Sequence, residues 1–187
     1  MNIQTPSKAI PQATDSEIRI AQNKVIDRLS ANPAVAVTTN ALTAHVGDGL
    51  TCAVQQGKFR TVMDLGPAMG GAARGPGPGF IAKAGIAGCI AIGVKMAAAR
   101  EGIEIQSVDL RLETVSDDLA IFGLGDNRAA PRETRISLDV RSGAPDLVIE
   151  ALVANVLECS PWFLALRDPQ NVTVTTTVNN LNRSGSS

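Results

Sequence analysis

The sequence predicts an α+β fold of antiparallel sheets packed with helices. Three observations carry this reading. Segments of alternating polarity come in consecutive groups, short turn signals join the members of each group, and segments of helical periodicity separate the groups. The expected order is helix, three strands, helix, two strands, helix, strand.

The first helix opens at Thr14-Asp15-Ser16-Glu17, a Ser/Thr-x-x-Glu pattern that satisfies free backbone N–H groups at a helix start. Ile18, Ala21, Val25 and Leu29 then recur at helical spacing, and Asn32-Pro33 ends the run. One apolar stripe implies a helix that docks onto a larger body. The residues ahead of it are polar, include Pro6 and Pro11, and lack the basic start and apolar stretch of a secretory signal. They read as a flexible lead-in to a cytoplasmic protein.

From Ala34 to about Leu65 the pattern is that of strands. Val35, Val37 and Thr39 alternate with small residues, and Gly47-Asp48-Gly49 and Gln56-Gly57-Lys58 supply turns, so a three-stranded antiparallel meander is expected. A connector dense in glycine and proline follows from Gly66 to Gly79. It reads either as a linker between independent domains or as a lead into the next helix, which Pro78 is placed to start. Its glycine run lacks the lysine and hydroxyl residue of a phosphate-binding loop.

The helix from about Phe80 to Arg100 is apolar or small nearly all round, which predicts burial on most faces. Lys83 and Lys95 leave eleven uncharged residues between them, short of the roughly 20 a bilayer crossing needs. No membrane association is expected. Gly85, Gly88 and Gly93 leave shallow surface for close approach of another element, at about 1 kcal/mol each relative to alanine.

Two one-faced strands come next. Val108, Leu110 and Leu112 alternate with charged residues, as do Ile136, Leu138 and Val140, and the pair is expected to form a long hairpin with an exposed tip. A helix then runs from Pro145-Asp146 to Glu158, where Cys159-Ser160-Pro161-Trp162 is expected to stop it. The last expected strand is Val172 to Val178. These boundaries divide the chain into an N-terminal extension (1–33), a main domain (34–180) and a disordered tail (181–187).

A chain of 187 residues with 44% hydrophobic content and a formal net charge of −1 buries a core and lacks the basic excess of a nucleic-acid binder. Aromatic content of 3%, with no tyrosine, leaves little with which to build a base- or sugar-stacking site. Three irregularly spaced cysteines fit a reducing compartment, where a thiol is either inert packing or chemistry. Cys52, in a strand, reads as a core or pairing residue. His45 is the only histidine and has no neighbours at metal-ligand spacing, so it reads as structural and no metal is expected. Trp162 reads as a core anchor at the exit of the last helix, or as an apolar wall beside the thiols.

Taken together, the element order and several short segments resemble the OsmC-like family, which includes osmotically induced proteins and organic hydroperoxide resistance proteins. Asp64-Leu65-Gly66-Pro67-Ala68-Met69-Gly70-Gly71 is similar to the family's Asp-Leu-Pro-x-x-x-Gly-Gly segment. Gly77-Pro78-Gly79-Phe80 leading to Ala87-Gly88-Cys89 is similar to its helix start and helix cysteine, and Cys159-Ser160-Pro161-Trp162 with Asn171-Val172-Thr173-Val174 to its second-cysteine region and closing strand.

The resemblance implies a homodimer that intertwines its sheets around paired central helices, with active sites near the subunit boundary. It implies Cys89 as the peroxidatic thiol and Cys159 as the resolving one, a small hydrophobic peroxide as substrate, a dithiol or carrier protein as reductant, and no cofactor. Catalytic members place an arginine at the first hairpin and a glutamate at the start of the central helix. Those positions fall near Gly47 and near Gly79 or Phe80 here, and neither residue is matched. Arg60, Arg74 and Lys83 are conceivable substitutes. A thiol must ionise to attack a peroxide, so the departure leaves three expectations: a thiol peroxidase activated by other groups, a non-catalytic dimer that binds a small hydrophobic ligand, or a structural or regulatory dimer with inert cysteines. On its residues alone, Cys89 reads as a small buried residue in an alanine-rich helix.

Overall fold

Thr14 caps helix α1 (Asp15–Ala31) as its sequence pattern predicts: its side chain accepts from the Glu17 backbone, and Glu17 reaches back to the Thr14 backbone. The computed structural model describes residues 12–179. The lead-in before Gln12 and the tail from 181 lie outside the described residues.

After a single 3-10 turn at Pro33–Ala36, the chain forms β1 (Thr43–Val46), β2 (Cys52–Gln56) and β3 (Phe59–Met63), a meander in the order β1-β2-β3. Both turns fall where expected, with Val46 opposite Cys52 and Gln56 opposite Phe59. The first strand does not. Pro33 starts a helical turn instead of a strand, and the residues that pair are the four directly before the Gly47 turn, which a tight hairpin selects by register.

The connector is a built loop. The Asp64 carboxylate, 2% exposed, accepts bonds from the backbone N–H of Leu65, Ala72 and Arg74 and from the Thr51 hydroxyl. The Asp64 N–H in turn donates to Pro76 O. Gly71 and Gly75 press so closely against the backbone of Leu65 and Val62 that a Cβ at either position would collide with it. Thus the glycines serve close approach, and the loop delivers the chain to the start of α2 in one fixed place.

Helix α2 (Pro78–Glu101) has Pro78 in its first turn and ends on Gly102 in the left-handed conformation. Its C-terminal half is core: Ile90, Val94, Ala97, Ala98 and Ala99 are buried. Its N-terminal half is not, with Phe80 61% exposed, so within one chain the all-round apolar pattern is only partly satisfied. By length and composition alone α2 meets the requirement for a membrane crossing, as a core helix also can. Here β4, α4, α5 and α1 pack against it, and Lys95 donates to Asp15 at 3.1 Å and to Ile105 O at 2.6 Å.

Strands β4 (Ile105–Val115) and β5 (Glu133–Ser142) form the expected hairpin, with Val108 opposite Val140, Leu110 opposite Leu138 and Leu112 opposite Ile136. Its exposed tip carries one helical turn, α3 (Asp118–Ile121). Helix α4 (Asp146–Glu158) lays Leu152 and Val156 onto Val94, Ala97, Ala98 and Ile105, closing the core between α2, α4 and the hairpin. Helix α4 stops at Glu158 as expected. Pro161 then starts a further helix, α5 (Pro161–Arg167), bent by 74° from α4, as proline at a first helical position can.

Residues 168–179 form no strand in the single chain, although Val172, Val174 and Val178 alternate with threonine and asparagine as a strand requires. A strand exists only with a paired neighbour, and among the described residues this segment is paired with none.

Candidate functional site

The α4–α5 bend sets the site. Cys159 is the residue that ends α4, its N–H donating to Val156 O at 3.1 Å, and Ser160 and Pro161 turn the chain into α5. Arg167, on α5, holds the bend from the other side through Glu158 at 2.6 Å and Asp168 at 2.7 Å. Those hydrogen bonds from Arg167 hold the Glu158 carboxyl below its ordinary range.

Opposite the bend runs the face of α2 that carries Cys89, Ile92, Gly93 and Met96. Between the two lies a cleft of about 380 Å³, lined also by Ala97, Arg100, Glu101, Asn155, Val156, Cys159, Ser160 and Pro161. At Gly93 the absence of a side chain lets α4 approach, since an added Cβ would stand 3.0 Å from Val156 Cγ1. Both candidate thiols therefore open into one mainly apolar cavity, Cys89 half-buried on its floor and Cys159 exposed at its rim. The Cys89 sulfur lies 3.5 Å from Ser160 Oγ, a hydroxyl that is 3% exposed.

The charged groups fall elsewhere than the sequence suggested. Arg60 faces a shallow hollow on the β1–β3 sheet, Arg74 lies in the connector and Lys83 in the exposed half of α2; none lines the cysteine cleft. Arg100 does. It stands eleven residues beyond Cys89, close to three helical turns and hence on the same face, about 16 Å away along the axis. Its guanidinium donates to Gln22 Oε1 of α1 at 2.5 Å. Helical spacing from Cys89 would have marked Arg100 in the sequence.

Cys52 sits in β2 between Val46 and Met63, in keeping with a pairing residue. His45 is exposed on β1, facing Ala53. Trp162 is 62% exposed and absent from the cleft lining, which overturns its reading as a core anchor. The bend swings the ring outward, because Pro161 continues the chain as a helix of new direction.

The α+β chain thus brings Cys89 and Cys159 to the lining of one mainly apolar cleft. The sequence profile of the OsmC-like protein family matches residues 70–175, more than half of the chain, and the protein belongs to that family. Among solved structures it is similar to an OsmC-like protein from Mycoplasma pneumoniae, with 18% identity and a TM-score of 0.59 over 70% of this chain and 88% of that one. An OsmC-like protein of unknown function from Vibrio cholerae has 8% identity and a TM-score of 0.53 over 69% and 94%. An organic hydroperoxide resistance protein, OsmC, from Legionella pneumophila has 22% identity and a TM-score of 0.49 over 70% and 90%. The first two likenesses concern the fold. No curated protein matches the chain by sequence.

Proposed function

We propose that this protein is a cytoplasmic, cofactor-free thiol peroxidase of organic hydroperoxides, active as a homodimer. The observation that supports it is the convergence of Cys89 and Cys159 on one apolar cleft in a chain of the OsmC-like family. The Cys89 thiolate attacks one peroxide oxygen, forming an S–O bond as the O–O bond breaks; the alcohol leaves after taking a proton, and Cys89 becomes a sulfenic acid. The Cys159 thiolate then attacks that sulfur, an S–S bond forms, and water departs. A dithiol or carrier-protein reductant supplies two electrons and two protons to restore both thiols. The cleft's apolar wall from Ile92 to Met96 suits a small hydrophobic peroxide, and Cys159 at the rim is where a reductant can reach the disulfide.

The assay is loss of cumene hydroperoxide with a dithiol present. Cys89→Ser is expected to abolish turnover. Cys159→Ser is expected to allow one oxidation and then stall, with the Cys89–Cys159 disulfide absent from peptide maps. Turnover that survives Cys89→Ser defeats the proposal.

A second reading is a dimer that holds a small hydrophobic ligand without turning it over. The vacancy at the family's arginine and glutamate positions, near Gly47 and near Gly79 or Phe80, favours it, and the cleft volume lies in the range of small-molecule sites. Native mass spectrometry that shows a co-purified ligand, together with no peroxide loss, selects this reading over the first.

A further inference from the structure

Ser160 occupies the residue before α5, where a serine hydroxyl ordinarily accepts a backbone N–H of the first helical turn. Its side chain makes no such bond. The residue is 3% exposed, and among the described residues the one hydrogen-bond partner of its hydroxyl is Cys89 Sγ, at 3.5 Å. A serine in a capping position has thus turned its hydroxyl away from its own helix and onto a thiol 71 positions earlier in the chain.

The local sequence makes that exchange cheap. Pro161, directly after it, has no N–H, so the first turn of α5 has one fewer donor in need of a cap. Arg167 ties α5 back to Glu158, so the bend that aims Ser160 at α2 is held without help from a cap.

We propose that Ser160 is a positioning residue for the Cys89 thiolate, donating its O–H to the sulfur. The inference rests on Cys89 being the attacking thiol, and it assigns a neutral group to the work for which the charged partners are missing. While Cys89 is protonated, either atom can donate. Once Cys89 has ionised, the hydroxyl alone can, and a hydrogen bond to an ionised acceptor is about twice as strong as one between neutral groups. The contact is therefore strongest in the form that reacts, and burial keeps the hydroxyl from exchanging its partner for water.

The experiment is alkylation of the reduced, full-length protein with iodoacetamide at neutral pH, with the rate at each cysteine resolved by peptide mass spectrometry. Ser160→Ala, which removes one oxygen and no cap, should slow labelling of Cys89 about ten-fold and leave Cys159 unchanged. Ser160→Thr, which keeps the hydroxyl, should restore the Cys89 rate. An unchanged or faster Cys89 rate in Ser160→Ala overturns the inference. So does equal slowing of both cysteines, or equal slowing by Ala and Thr, each of which marks a packing effect. The same samples assayed with cumene hydroperoxide keep the two ideas apart: no turnover in the unaltered protein, alongside Ser160-dependent alkylation, removes the peroxidase and sustains the role of Ser160.

Discussion

Asp64 shows how a single residue positions the site without touching it. Burial, the largest single influence on its carboxyl, pushes toward protonation, but bonds from Arg74 N, Leu65 N, Thr51 Oγ1 and Ala72 N together outweigh it and hold the group below its ordinary range. The sign of the pH effect follows. A carboxyl lowered on folding contributes stability that is fully present above its unfolded value of about 3.9, and that contribution is lost as pH falls through the lower folded value. Asp64→Asn should lower the thermal midpoint by several degrees at pH 7, because the amide loses acceptors that the connector's N–H groups need. The gap between the two proteins should narrow below about pH 4, measured as paired melts across pH. A constant gap would mean that Asp64 is not the titrating anchor of the loop. Asp64 was legible in the sequence as part of a segment, but its task was not, because two of its donors, Ala72 and Arg74, reach it only once the loop has folded back.

At the scale of elements, what was legible depended on how local the cause was. The α1 cap lies within four residues, so its pattern stands complete in the sequence. The β4–β5 pairing was read from alternation on two strands whose apolar faces must coincide, and Val108, Leu110 and Leu112 do face Val140, Leu138 and Ile136. Proline was the incomplete signal: the stop of α4 before Pro161 is legible, whereas the start of α5 at the same residue depends on the packing of α5 on α2. That gap hid the bend that makes the site, and so hid Ser160. The two cysteines were legible as candidates, while the cleft that joins them required the α2–α4 approach at Gly93. The capping box itself is open to test. Thr14→Ala removes the acceptor for Glu17 N and a donor to the Glu17 carboxylate, and should raise hydrogen exchange of the α1 amides about five-fold. Amides of Ile90 to Ala98 in the core half of α2 should keep their protection, since α1 only overlies them. Equal loss of protection in both helices would show that α1 is part of the core and not an element docked on it.

For the whole molecule, the parts that one chain leaves unfinished belong together. Phe80 and Ile92 on α2 are more than half exposed, Gly85 and Gly88 face open space, and Val174, at 85% exposed, lies in a segment patterned as a strand but paired with no described segment of its own chain. Backbone N–H and C=O groups in an extended run gain most from a neighbouring strand, and a glycine-lined helix face gains most from a second helix at short distance. A second copy of the chain would supply both at once, and the homodimer proposed above would then account for the closing segment that forms no strand in the single chain. Light scattering should therefore give twice the 19.4 kDa chain mass. Val174→Pro removes one N–H from the segment and blocks ladder pairing, so it should weaken the dimer about ten-fold or more in a dilution series while leaving the melting of the β4–β5 core nearly unchanged. A protein of 19.4 kDa at all concentrations, or a dimer indifferent to Val174→Pro, would separate the closing segment from assembly and leave its alternation of valine and threonine without a structural role.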